Sequence, residues 1–174
     1  MAILEIDFDP ADVITVGVEG EPGQRTFFLE ARQGSACRTL LVEKVQLQEL
    51  GAQILAILDP LEGHQGAAPE PVQGPTGAPG WHIGSIQLSW DERQGSCTLL
   101  LEERPTSMPP EEADGDEDDS LRAARLVATS AQIRRLGERC LLVVMGGRPL
   151  CPLCHLPIDA SGHVCPASNG HHRS

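Results

Sequence analysis

Cys151 and Cys154 flank Pro152 and Leu153; after eight intervening residues comes His163, with Cys165 two places further on. Thiolate and imidazole are donors that divalent zinc favours. A C-x-x-C turn aims two sulfurs at one centre, where backbone N–H groups can hydrogen-bond to them. Three thiolates and one imidazole make a tetrahedral Cys3His set, the composition of a closed structural site. Pro152, Pro157 and Gly162 suit the tight turns that bring the two pairs together. His155, directly after the knuckle, and His171 and His172 on the tail compete with His163 for the fourth place. Leu150, Leu153, Leu156, Ile158 and Val164 can cover only a small patch, so metal binding must supply the ordering free energy of this segment.

Other chemistry fits the same residues less well. A redox C-x-x-C opens a helix after a strand, whereas Pro149 and Pro157 flank this one. A zinc hydrolase needs an open metal position with carboxylates beside it, and only Asp159 is at hand. A nucleic-acid zinc knuckle has another spacing and basic or aromatic neighbours. Cys37, Cys97 and Cys140 read as small buried hydrophobes, and His64 and His82 as residues without a special role.

The rest of the chain must hold this tail in place. Its 174 residues can bury a real core, and they carry a formal charge of -12. That sign opposes non-specific attraction to nucleic acid and to anionic membrane. The acidic excess lies ahead of the tail, since residues 146–174 hold Asp159 against Arg148 and Arg173. The aromatics are Phe8, Phe27, Phe28, Trp81 and Trp90, too few for a base-stacking platform. No apolar run reaches the roughly 20 residues of a membrane helix, and the N-terminus has neither the basic nor the apolar region of a signal peptide. A cytoplasmic protein with reduced cysteines is expected.

The apolar pattern predicts an α+β fold of two βββα units. In the first, spanning 1–62, strands are expected at Val13–Val18, Arg25–Glu30 and Cys37–Val42, with turns at 21–24 and 33–35. A helix follows on Val45, Leu47, Leu50, Ile54, Leu55 and Leu58 and stops before Pro60. Residues 63–80, rich in Gly, Ala and Pro, read as a linker. The second unit, 81–146, has strands at Ile83–Trp90, Cys97–Leu101 and Ala124–Ala128, then a helix capped by Thr129 or Ser130 that runs to about Met145. Between its last two strands, the acidic loop 105–120 carries Glu111, Glu112, Asp114, Asp116, Glu117, Asp118 and Asp119 and reads as solvated chain. The two helices overlay: Gln46 on Gln132, Leu47 on Ile133, Leu50 on Leu136, Gly51 on Gly137, Leu55 on Leu141. The preceding strands follow suit, Leu40-Leu41 on Leu126-Val127, as an internal repeat requires. The zinc-binding tail, 147–174, completes the order.

The tail GRPLCPLCHLPIDASGHVCPASNG, residues 147–170, resembles the C-terminal signature of the family known as domain of unknown function 3090. Gly20–Leu29, Leu41–Gln46 and Gly84–Asp91 are similar to that family as well, so the resemblance spans most of the chain. Ala167 departs from it, standing where a basic residue often follows the Cys-Pro pair, which argues against phosphate binding there. The resemblance implies an intracellular, mainly actinobacterial protein with a zinc-binding tail. It brings no reaction and no catalytic residues.

Three functions follow as expectations. The first is a non-catalytic zinc-binding adaptor with a protein partner, held together by Cys151, Cys154, His163 and Cys165. The second is a nucleic-acid or transcription-machinery contact through the arginines 122, 125, 134, 135 and 139, which the net charge disfavours. The third is a hydrolase using the tail zinc.

Overall fold

The computed structural model describes residues 2–21, 24–62, 74–105, 120–146 and Cys165. The fold is α+β: a mixed seven-stranded sheet and two helices. The strands are β1 (Ile3–Phe8), β2 (Val13–Glu19), β3 (Thr26–Gln33), β4 (Ala36–Val42), β5 (Pro79–Asp91), β6 (Ser96–Glu103) and β7 (Arg122–Thr129). Helix α1 (Lys44–Glu62) lies between β4 and β5, and α2 (Ser130–Val144) follows β7. The sheet order is β1-β7-β6-β5-β4-β3-β2. β2-β3-β4 and β5-β6-β7 are antiparallel meanders, joined by a parallel β4–β5 pair, while β1 lies parallel to β7.

The two ends of this order, β1 and β2, are consecutive in the chain. Between them, the Ala11 N–H donates to the Val127 carbonyl of β7 at 2.8 Å and the Asp12 N–H to the Arg32 carbonyl of β3 at 2.8 Å. Adjacent residues thus bridge opposite ends of the sheet, which curls to bring its edges together. The enclosed core combines alternate strand residues (Val16, Leu29, Leu40, Ile83, Leu99, Leu126) with the inner stripes of both helices (Leu47, Leu50, Ile54, Leu58, Ile133, Leu136, Val143).

The two meanders have matching registers. Val16 faces Leu29 and Leu29 faces Leu40 in the first; Leu88 faces Leu99 and Leu99 faces Leu126 in the second. The parallel pairs also correspond, Thr39 to Pro79 and Arg125 to Asp7. Each helix has a glutamine in its first turn that makes the same three side-chain hydrogen bonds. Gln46 Oε1 accepts from the Glu43 N–H at 2.9 Å, and its Nε2 donates to the Ile83 and Gly84 carbonyls. Gln132 Oε1 accepts from the Thr129 N–H at 2.9 Å, and its Nε2 donates to the Ala11 and Asp12 carbonyls. Thr129 returns a hydroxyl acceptor to the Gln132 N–H and closes a capping box.

Several expectations need correction. β1 was missed, although Leu4, Ile6 and Phe8 alternate with Glu5 and Asp7; it is a short edge strand whose Ile3 and Leu4 remain exposed. α1 continues through Pro60 to Glu62, since a proline so close to the end disturbs only the last turn. β5 begins at Pro79 rather than Ile83, where the parallel pairing with β4 lets a proline open the strand. Cys37 is half-buried rather than core, while Cys97 and Cys140 are buried as expected. Residues 63–73, the acidic stretch 106–119 and most of the zinc tail lie outside the described residues.

The helices cross backbone to backbone. A Cβ on Gly137 would sit 2.6 Å from Ile54 Cγ2, and one on Gly51 would lie 3.0 Å from the Gly137 carbonyl oxygen. In an exposed helix, replacing Gly by Ala stabilises by about 1 kcal/mol. At this crossing the sign reverses: Gly137→Ala is expected to lower the unfolding free energy by about 1–3 kcal/mol through overpacking, read from the urea midpoint. A midpoint that stays or rises would show room between the helices.

Candidate functional site

The segment expected to bind zinc follows α2 in the sequence. The Met145 and Gly146 N–H groups close the last turn of that helix on the Leu141 and Val143 carbonyls. Gly146 has φ +76°, and a Cβ there would lie 2.7 Å from Arg25 Nη1, so the chain departs against the guanidinium just ahead of β3. Of the four expected ligands, Cys165 alone is described, and it is buried with 8 % of its surface exposed. Cys151, Cys154 and His163 lie outside the described residues, as do His155, His171 and His172. Among the described residues, no three His, Cys, Asp or Glu side chains gather into a metal-binding group. A soft thiol withdrawn from water fits a zinc ligand, and the donor set fits the ion's chemistry.

The other cysteines have the opposite character. Burial pushes the Cys97 thiol up to about 11 and the Cys140 thiol up to about 12. Both stay protonated at neutral pH and act as small apolar side chains. Cys37 Sγ lies 3.5 Å from the hydroxyl of Thr76.

That threonine belongs to a polar centre that sequence reasoning missed. Glu30, in the apolar run Phe27-Phe28-Leu29-Glu30-Ala31, is 3 % exposed. Its carboxylate accepts from the Thr76 N–H at 2.9 Å, the Thr76 hydroxyl at 2.7 Å and the Arg32 Nη2 at 2.6 Å. Thr39, also buried, adds a long contact of 3.4 Å. A carboxylate inside a strand of large apolar residues was the available signal. The contact fastens the end of the Pro/Gly-rich stretch across β3 and β4.

Carboxylates and backbone carbonyls also take up most of the expected basic cluster. Arg122 pairs with Glu103 and Glu5, and holds the Glu103 carboxyl below its usual range. Arg125 pairs with Asp7 and Asp9. Arg134 is buried and donates to the Leu58 carbonyl, and Arg139 Nε donates to the Val16 carbonyl. These arginines fasten β1, α1 and β2 rather than forming one free patch.

An opening lies between α1 and β5. Gln46, Glu49, Leu50 and Gln53 from the helix and Gly84, Ser85 and Ile86 from the strand enclose about 270 Å³. β5 bulges there, its register on β6 shifting between Ile83 and Ser85. Gly84 is required at the bulge, since a Cβ would meet the Arg104 Cα at 2.8 Å.

Burial alone would raise the Glu30 pKa, but the Thr76 and Arg32 hydrogen bonds outweigh it and hold the carboxyl below its ordinary value. Its contribution to stability is therefore complete above about pH 5 and is lost as the pH falls through the folded value. Glu30→Gln is expected to cost about 1–3 kcal/mol at about pH 7. The penalty should shrink at acid pH, as the wild-type carboxyl takes up a proton on passing through its lowered folded value. Denaturant unfolding at the two pH values measures both; an equal penalty at each would show that the charge is irrelevant.

Comparison with known proteins closes the site's description. No curated protein and no solved structure matches the chain. Among the described residues, no helix is long and apolar enough to cross a membrane. One family model, described as a protein of unknown function, matches residues 6–165. It covers all of the described sheet except the start of β1 and ends on Cys165, with His171 and His172 beyond it. The chain belongs to that family, domain of unknown function 3090.

Proposed function

We propose that the protein is a non-catalytic, zinc-stapled adaptor that binds a protein partner in the cytoplasm. The fold is read as two equivalent βββα units, supported by the matching ladder registers and the paired roles of Gln46 and Gln132. Cys151, Cys154, His163 and Cys165 would hold the ion, which when bound cross-links a segment too poor in apolar residues to order itself. The observation that carries the metal assignment is the burial of Cys165, well beyond the last helix in a charged, hydrophilic chain. The span of the family match supports it, taking in all four ligands.

The adaptor reading follows from where the chemistry lies. Several carboxylates and guanidiniums on the described strands are used on one another, as the Glu30, Arg122 and Arg125 pairs illustrate. What the fold offers a second molecule is surface: the α1–β5 opening and the tail.

Metal content by elemental analysis tests the proposal, with wild type beside Cys151→Ser and Cys165→Ser. About one zinc per wild-type chain is expected, with loss of metal in each variant. An unchanged metal content in both variants overturns the ligand assignment.

A further inference from the structure

We propose that the cleft between α1 and β5 is a receptor for an arginine side chain presented by a partner protein. The same junction occurs twice in the fold, between each helix and the backbone whose carbonyls its first-turn glutamine binds. The two can be aligned residue by residue, because Gln46 binds Ile83 and Gly84 as Gln132 binds Ala11 and Asp12. Counting along the helices from those glutamines, Glu49 corresponds to Arg135, Leu50 to Leu136 and Gln53 to Arg139. Along the strands, Leu88 corresponds to Val16, since each faces the matching leucine, Leu99 or Leu29.

The second junction is closed from within. Arg139 reaches from α2 to β2 and donates Nε to the Val16 carbonyl at 2.8 Å, and Val16 is 1 % exposed. Among the described residues, the first cleft has no such filler. Gln53 stands in place of Arg139, its side chain exposed, and the space beside it remains open at about 270 Å³. Leu88, opposite Val16 in the alignment, is half-buried rather than buried.

The lining chemistry selects the ligand. Glu49 supplies a carboxylate where the closed junction has Arg135, and Gln46, Gln53 and Ser85 supply neutral polar groups around it. The apolar floor, Leu50 and Ile86, suits the methylene stem of a long side chain. A planar guanidinium pairs with a carboxylate and donates to carbonyls at the same time, which an ammonium does with less directional fit. With a formal charge of -12, the chain also attracts a basic partner from a distance. This inference gives the proposed adaptor its partner chemistry and rests on that reading in this respect alone; metal content and peptide binding are measured separately, so either can fail without the other.

The test uses the full chain labelled with 15N and an acetylated, amidated peptide of about seven residues, alternating threonine and valine around one central arginine. Titration should shift the amides of Gly84, Ser85, Ile86, Glu49 and Gln53. Citrulline in place of the arginine should abolish the shifts, and lysine should weaken binding about tenfold. Glu49→Gln should weaken it by a similar factor. Gln53→Arg should fill the cleft as Arg139 fills its counterpart, blocking the peptide while the melting temperature is kept or raised. Equal binding of the citrulline peptide overturns the proposal, as does undiminished binding to a folded Gln53→Arg protein. Shifts confined to other residues also overturn it. A peptide that binds only after Arg148 and Arg173 are replaced would assign the cleft to this chain's own tail and overturn the partner assignment.

Discussion

Two helices share one curled sheet here because their backbones touch. Where Gly51 and Gly137 face each other, neither helix has a side chain to hold the other away. Close approach lets Leu50, Ile54, Leu136 and Cys140 interdigitate within a single core instead of two small ones. The sheet must then wrap around both helices, and its two edges come together at residues 11 and 12.

The second constraint is the pair of glutamines. Each ties the first turn of a helix to backbone carbonyls at a break in a strand: the bulge at Gly84, or the bend between β1 and β2. With the helix start fixed there and its middle fixed at the glycine contact, the side chains beside the strand are free to differ between the halves. The halves do differ there. An arginine closes one gap, and a glutamine leaves the other open.

Most of the elements were legible in the sequence, because six strands are short apolar stretches set off by turn residues and both helices show a 3.6-residue stripe. The glycine and glutamine correspondences were visible too, since identical residues recur at one offset. The parallel pairings were not. Nothing local in Pro79 or Ile3 says that a strand-distant neighbour is waiting, and those contacts depend on how the two meanders close. The proposed zinc ligands announce themselves by spacing, whereas the Glu30 centre does not. Its partner Thr76 lies 46 residues away in a stretch that reads as a linker, and only tertiary structure brings them together. Likewise the arginines look like a basic cluster along the chain, yet the fold distributes them to separate acceptors.

The parallel bond between β1 and β7 sets an order of events at the ribosome. β1 emerges well before β7 and must wait for it before the two can pair. Until Arg122–Thr129 have been translated, Ile6 and Phe8 have no completed sheet to enter, so the nascent chain carries an unfinished seam through most of its synthesis. Such long-range closure raises contact order and makes folding a late, concerted step. In that setting the charged residues in and just after β1, Glu5, Asp7 and Asp9, serve before folding as well as after it. They keep a waiting strand soluble, and they then meet Arg122 and Arg125 when the seam closes.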